Sequence, residues 1–482
     1  MLIVLKMQQT DLAIFQILSF LSFKDLTRVG AVSKRCRQFH LSVPVLSFDY
    51  SSCKPRGVTN QKIVKLMSPL DRYLCYRGDH RMQVFSINWS CFGSEQASKF
   101  SDDHFRVITW IVNAVRCNVE VLDLRLACDF LALPSCVFLS KSLQSLSVHL
   151  TWMILEAPSV SFSSNLCYLK LEKVTIVDER FFKWISRSCK FLKELQLIWV
   201  WIRGMRKISI ESFSLESLLV WINDPNPIHL NISGQKIESI DISFKDYHAL
   251  TSSIEVNIFA PNLKYLKWEG ILNNSLNLGK LTGLEKVEIF LASQRNKFDE
   301  VFEKFDKVFE FLHSVRWAKV LIINEETMKA FKEGSMSAPL DNIRKLGIHC
   351  SSLKDDLVPA MVSLVRGMTN LNSLYIKTLP DGGDTKSVVS SGFGMGYWKL
   401  QNLAFVRQLK EVTIEPSTGS NEIEFARYIL EHSQNLKKMF LFLHHGAEQS
   451  KVAGGMVSRS KMISTATIVI RGSGMQNHGA SD

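Results

Sequence analysis

The pattern apolar-x-x-apolar-x-apolar recurs along this chain, opening at Val119, Leu143, Leu166, Leu192, Leu215, Ile237, Leu263, Leu284, Ile343, Leu371, Leu409 and Leu436. A single match carries little information, because at 46% apolar content three fixed positions coincide in about one window in ten by chance. The spacing is the constraint. From Val119 to Leu284 successive openings lie 24, 23, 26, 23, 22, 26 and 21 residues apart, and Asn immediately precedes positions 166, 263, 343, 371 and 436. In a short strand the fourth and sixth motif residues point to one side and the third and fifth to the other.

A period in the range of 20–29 residues with this signature is that of leucine-rich repeats. One repeat cannot bury its apolar face alone, so neighbours stack into a solenoid with a parallel sheet on the concave side and helices or turns behind it. The expected fold is therefore α/β, a leucine-rich-repeat solenoid preceded by a small all-α module; an ordinary α/β domain with several such strands is the competing architecture. Asp178 to Lys190 reads as one backing helix, with Phe181, Phe182, Trp184 and Ile185 on its apolar side. Phe298 to Leu312 has helical spacing and precedes a degenerate strand at Val315 to Ile323. Thr378 to Asn402 carries Asp381-Gly382-Gly383-Asp384 and Gly392-x-Gly394-x-Gly396 and reads as a turn-rich surface loop.

The chain has 482 residues, 22% charged and 10% aromatic, and 58 Lys and Arg against 46 Asp and Glu give a net charge of +12. Those proportions exclude a mostly disordered or collagen-like chain. The basic residues are scattered, and Ser33-Lys34-Arg35-Cys36-Arg37 is too brief to track a phosphate backbone, so nucleic acid is not the expected partner. No apolar run is long enough to span a bilayer and no cleavage site follows Leu2 to Leu5, which leads us to expect no membrane association and a cytoplasmic or nuclear location. The ten cysteines include no CxxC pair, and reduced thiols are expected. No His/Cys cluster has zinc spacing, and neither GxSxG nor GxxxxGK occurs. We expect no catalytic group, metal or cofactor. Asp102-Asp103 and Asp355-Asp356 read as caps or solvated turns.

Ahead of the repeats, Leu12, Phe15, Leu18 and Leu21 recur at helical spacing, and Ser22-x-x-Asp25 has the form of a capping box before Leu26, Val29 and Val32. The stretch Ile17-Leu18-Ser19-Phe20-Leu21-Ser22-Phe23-Lys24-Asp25-Leu26, followed by Val32-Ser33-Lys34-Arg35-Cys36-Arg37, resembles an F-box. With the repeats, and with Asn421-Glu422-Ile423-Glu424-Phe425-Ala426 and Asn435-Leu436-Lys437-Lys438-Met439 near the C-terminus, the chain resembles the plant F-box/FBD/leucine-rich-repeat family. It departs from the F-box pattern at Gln9-Thr10, where Leu-Pro is usual, and at Cys36, where Trp is usual.

The organisation expected on this basis is an F-box-like helical module at 8–50, a linker with irregular repeats at 51–118, the solenoid at 119–404, FBD-like C-terminal repeats at 405–445, and a partly disordered tail at 446–482. The resemblance implies a substrate-recognition subunit of an SCF-type cullin ubiquitin ligase. Ile14, Ile17, Leu18, Leu21, Leu26 and Val32 would insert into a groove on a Skp-type adaptor, which connects to the cullin. The alternative is a non-catalytic leucine-rich-repeat scaffold with a degenerate F-box. On the concave face, the outward motif positions Tyr168, Lys170, Tyr265, Lys267, Tyr375 and Lys377, with Trp221 and His349, are the expected contacts to a protein substrate, since aromatics beside cations make good interface anchors.

Overall fold

The computed structural model describes residues 9–49, 60–90, 100–127, 133–156, 158, 163–223, 228–244, 254–272, 276–292, 301–333, 339–351, 353–378, 392–415, 420–443 and 467–472. The chain divides into two compact units that meet in sequence at Ile237 and Glu238.

The first unit opens with three helices, α1 (Gln9–Ser19), α2 (Phe23–Val32) and α3 (Lys34–Ser42). Strands and helices then alternate: β1 (Val45–Asp49), α4 (Asn60–Arg77), β2 (Val84–Ser90), α5 (Phe100–Arg116), β3 (Val121–Ala127), α6 (Cys136–Leu139), β4 (Ser145–Leu155), β5 (Tyr168–Ile176), α7 (Arg180–Ser188) and β6 (Glu194–Ile202). Short strands β7 (Lys207–Glu211), β8 (Ser217–Ile222) and β9 (Ile228–Ser233) complete it. The order β1-β2-β3-β4-β5-β6-β8 forms one parallel sheet, and β7 pairs with β9, also in parallel.

The second unit contains β10 (Ser239–Phe244), β11 (Ile254–Phe259), β12 (Tyr265–Gly270), β13 (Leu276–Asn277), β14 (Lys286–Leu291), α8 (Val301–Ser314), β15 (Val320–Asn324), α9 (Glu325–Glu333), β16 (Lys345–Cys350), α10 (Val358–Arg366) and β17 (Ser373–Thr378). It continues through α11 (Met395–Gln401), a 3-10 turn at Ala404–Gln408, β18 (Glu411–Glu415), α12 (Ser420–His432), β19 (Lys438–Leu443) and β20 (Thr467–Gly472). Its main sheet runs β10-β12-β14-β15-β16-β17-β18-β19-β20, all parallel, with β11 and β13 paired separately.

The motif leucines form the core, as their period requires. Leu146, Leu169, Leu195 and Leu218 stand opposite one another on successive strands and are fully buried. Leu266, Val287, Leu321, Leu346, Leu374, Val412 and Met439 make the equivalent row in the second unit. Each buried aliphatic side chain contributes about 1.5–3 kcal/mol. The helices lie on the side to which these rows point: Phe48 of β1 meets Trp110 of α5 with centroids 5.9 Å apart, and Trp268 of β12 meets Phe311 of α8 at 6.0 Å.

The asparagines ahead of the motif have a specific role. The Nδ2 groups of Asn165, Asn342, Asn370 and Asn435 donate to the backbone carbonyls of Lys141, Arg316, Asp341 and Arg407, each one repeat earlier, at 2.6–3.3 Å. Ser142 and Ser214, which hold the same place before Leu143 and Leu215, donate to Val119 and Leu192. A carbonyl that would otherwise lack a partner at each turn is thereby satisfied by the next repeat.

Several expectations are met and others are corrected. Helix α7 buries Phe181, Phe182, Trp184 and Ile185, and α8 overlaps the predicted helical segment, ending at Ser314 rather than Leu312. The strand after α8 begins at Val320, five residues later than Val315. Within 51–118, read from sequence as a linker with irregular repeats, α4, β2 and α5 form strand-and-helix repeats, and the sheet starts at β1 rather than at 119. Met395 to Gln401, within the region read as a surface loop, is a helix whose Trp398 is fully buried. Asp381-Gly382-Gly383-Asp384 lies outside the described residues, as does most of the 446–482 segment. Within that segment, however, Thr467–Gly472 extends the sheet as β20.

Candidate functional site

Three helices make the N-terminal surface. Ser22 caps α2, its hydroxyl oxygen accepting from the Asp25 amide at 3.2 Å, and Ser33 caps α3 by accepting from Cys36 at 3.0 Å. The two helices approach closely at Gly30, where a Cβ would lie 2.7 Å from the His40 ring. Leu18 and Leu26 are 6% and 1% exposed and hold the module together from inside, so they are not positioned as groove-inserting groups. Ile17 and Val32 are 65% and 76% exposed, whereas Ile14, Leu21 and Cys36 are half-buried. Phe20, one turn after Ile17 and 88% exposed, is an apolar projection that the sequence reading did not single out. Large apolar side chains held in water on so small a module mark an interaction surface.

The second candidate surface is the sheet face away from the leucine rows. All eight residues expected there are half-buried, as a side chain standing on a strand among neighbours should be. In the first unit Tyr168 and Lys170 sit on β5 and Trp221 on β8. Lys170 and His149 both pair with Glu172, at 3.1 Å each. Burial opposes ionisation of Glu172, but Lys170 and His149 together hold its carboxyl below the ordinary range.

In the second unit the structure brings several of the expected residues together. His349 stacks on Phe290 with centroids 5.5 Å apart and meets Tyr375 edge-on at 6.1 Å, while Lys377 is its register partner on the next strand. Gly347 lies between Ile322 and Tyr375, its register partners on either side, and a Cβ there would meet the Ile322 side chain at 3.1 Å. The Tyr375 hydroxyl donates to Glu415 at 3.1 Å, and burial followed by that carboxylate pushes its pKa up to about 12. Burial, then the charge of Lys377, lowers the His349 pKa, which keeps the ring neutral beside its aromatic neighbours. Tyr265 and Lys267 form a separate cluster on β12: Lys286 lies 5.2 Å over the Tyr265 ring, and Lys267 pairs with Asp241 at 3.3 Å.

The FBD family profile matches residues 405–441. An F-box/FBD/LRR-repeat protein of Arabidopsis thaliana is 22% identical over 450 residues, covering 89% of this chain and 88% of that protein. An F-box/LRR-repeat protein of the same plant is 22% identical over 471 residues, with 95% and 94% coverage. A putative FBD-associated F-box protein is 26% identical over 461 residues, with 90% and 94% coverage. The chain's family likeness is to the plant F-box/FBD/leucine-rich-repeat proteins.

The segment matched by the FBD profile takes in β18, α12 and most of β19. Its Asn421 and Glu422, at the start of α12, are both 1% exposed. Asn421 Nδ2 donates to the Leu353 carbonyl at 2.9 Å and to Asp355 at 2.7 Å, and its Oδ1 accepts from the Phe393 amide at 2.8 Å. Glu422 Oε1 accepts from the Leu353 amide at 2.7 Å, while Oε2 is buried with no hydrogen-bond partner. Asp355, read from sequence as a cap or turn residue, is therefore part of the clamp that fixes the FBD helix onto the loop after β16.

Burial raises the Glu422 pKa. In mild acid the unfolded chain ionises at the ordinary carboxylate pKa while the folded chain keeps its proton, so stability falls as pH rises, until the folded pKa is passed and it levels. Glu422→Gln retains an acceptor for Leu353 and removes this slope. Urea midpoints at pH 5 and pH 7.5 should lie closer together in the variant than in the parent, with the variant higher at pH 7.5; an unchanged separation would refute the assignment.

Among the described residues no group of three or more His, Cys, Asp or Glu side chains could hold a metal ion, and no helix is long and apolar enough to cross a membrane. Burial pushes the thiols of Cys189 and Cys350 up to about 12, and the cysteines described are all free.

Proposed function

We propose that this chain is a substrate-recognition subunit of an SCF-type cullin ubiquitin ligase, in which the N-terminal helices dock on a Skp-type adaptor and the repeat faces hold the protein substrate. The observation that carries the reading is the exposure of Ile17, Phe20 and Val32 on a capped helical module, directly followed by repeats that present aromatic and charged side chains in rows. Helix-in-groove docking uses spaced apolar anchors of that kind. The relatives' names, F-box with FBD and LRR repeats, support the same division of labour. The chain itself would supply no catalytic group. Its contribution would be effective concentration, holding a substrate lysine near a charged ubiquitin-conjugating enzyme. A cytoplasmic or nuclear location follows from the same reading.

The test uses the exposed positions, because their replacement leaves the module's interior intact. Tagged full-length chain should copurify a Skp-type adaptor, and Ile17→Asp with Val32→Asp should reduce recovery at least tenfold with an unchanged circular dichroism spectrum. Leu26→Asp serves as the contrast: it should lose both the adaptor and the module's helicity. If the parent chain recovers no adaptor, the scaffold reading takes its place. Cys36 is the residue that favours that second reading, because a half-buried thiol occupies the place of a larger aromatic. Cys36→Trp should then create adaptor binding.

A further inference from the structure

Strands β4, β5 and β6 have 11, 9 and 9 residues, longer than the other strands described in their sheet. Each is interrupted by one non-glycine residue in the left-handed region: Trp152 at φ 62°, Lys173 at φ 53° and Trp199 at φ 51°. Lys173 and Trp199 occupy the same level, flanked by the pairs Glu172–Ile198 and Thr175–Trp201. Trp152 falls where the β4–β5 register shifts, between His149 and Met153. Bulky residues adopt this backbone rarely, and three at adjoining bulges re-aim side chains in concert. In β6 the inward–outward alternation breaks at Ile198 and Trp199, both of which escape full burial, and resumes with Val200, leaving Trp201 on the outward side.

The result is an indole ledge at the C-terminal ends of these strands. Trp152 is 39% exposed and Ile154 49%, and the Trp152 and Trp201 rings lie 5.3 Å apart. Lys173 Nζ stands 5.2 Å over the Trp199 ring, and the Arg203 guanidinium 5.4 Å over Trp201. Neither cation is ion-paired with a carboxylate among the described residues; Glu172, next to Lys173 in sequence, is already engaged by Lys170 and His149. The Trp201 indole nitrogen is buried with no acceptor. Tryptophan and arginine dominate binding hot spots, and cations seated on indoles retain their charge for a partner.

We propose that this ledge binds an extended acidic segment of a protein substrate, its carboxylates pairing with Lys173 and Arg203 and its apolar side chains lying on the indoles. This rests on the substrate-receptor reading above and names the class of segment recognised. Charge complementarity selects the occupant: two unpaired cations in an aromatic setting repel a basic segment and leave a purely apolar one with charges to desolvate.

The test measures direct binding, without adaptor, so that its failure is separate from failure of the adaptor assay. Two fluorescein-labelled dodecapeptides with the same leucines and phenylalanines, one alternating them with Asp and Glu and the other with Lys, are titrated with the full chain and followed by anisotropy. The acidic peptide should bind at least tenfold more tightly. Lys173→Asn with Arg203→Glu should abolish that preference, asparagine being tolerant of the left-handed backbone. Arg187→Glu with Lys190→Asn, the same charge change at exposed positions on and just after α7, should leave it intact. Trp152→Ser should weaken the acidic peptide while sparing adaptor copurification. Equal binding of the two peptides, or equal losses in the ledge and α7 double variants, would overturn the proposal, the latter reducing it to the chain's general positive charge.

Discussion

Trp398→Ala should destabilise the second unit by about 3–5 kcal/mol, the range for deleting a buried aromatic. Trp398 is fully buried and packs on α12 of the FBD segment, with its ring centroid 4.6 Å from Phe425 and 6.2 Å from Tyr428. Its indole N–H donates to the Phe393 carbonyl at 3.1 Å, so the substitution removes a hydrogen bond as well as volume. Tyr428 also accepts from the Leu403 amide at 3.2 Å, which ties the same helix to the chain entering the 3-10 turn. Chemical denaturation followed by hydrogen exchange should show α11 and α12 losing protection together. Trp398→Phe, which keeps most of the ring, should recover more than half of the loss. A variant with unaltered protection in α12 would show that the FBD helix is held without this contact.

The second large effect is expected at Arg77, a 1% exposed side chain in the last turn of α4. Its three nitrogens donate to the Tyr73 hydroxyl at 2.8 Å, to the Arg81 carbonyl at 2.8 Å and to the His80 carbonyl at 3.3 Å. The Tyr73 hydroxyl in turn donates to the His40 carbonyl at 3.0 Å, carrying the network back to α3. Arg77→Met fills similar volume but leaves two carbonyls and a hydroxyl without their donor. Hydrogen bonds to a charged donor contribute about 1.5–3 kcal/mol each, and the stranded acceptors bring a loss of about 3 kcal/mol within reach. Thermal unfolding monitored by tryptophan fluorescence should register it. Arg77→Lys, a single point donor unable to reach three acceptors, should recover only part.

The repeat was legible because leucine at fixed spacing is a direct signature of stacked strands, and the asparagines ahead of several motifs had a hydrogen-bonding cause. Residues 51–118 read only as a linker with irregular repeats for a definable reason. Their inward strand positions are Phe85, Ile87 and Trp89 rather than leucines, and full helices between strands stretch the step from Val45 to Val84 and from Val84 to Val121 beyond the 20–29-residue period. The exposed apolar residues of the N-terminal helices were half legible. Helical spacing groups Ile14, Ile17, Leu18 and Leu21 as one set, but it does not reveal that packing among α1, α2 and α3 takes Leu18 inside and leaves Phe20 out. The indole ledge was illegible, since a left-handed tryptophan or lysine carries no local sequence mark of the kind glycine or asparagine gives.

Phe23 of α2 meets Phe48 of β1 edge-on at 5.5 Å and Tyr73 of α4 at 5.6 Å. The aromatic joint makes the N-terminal helices the first course of the sheet's masonry rather than a tethered head. Whatever grips Ile17 and Val32 therefore sets the bearing of β1 and its neighbours as a gun mount sets a barrel, and under the proposed function a substrate would have to bring its lysine to that fixed line of fire.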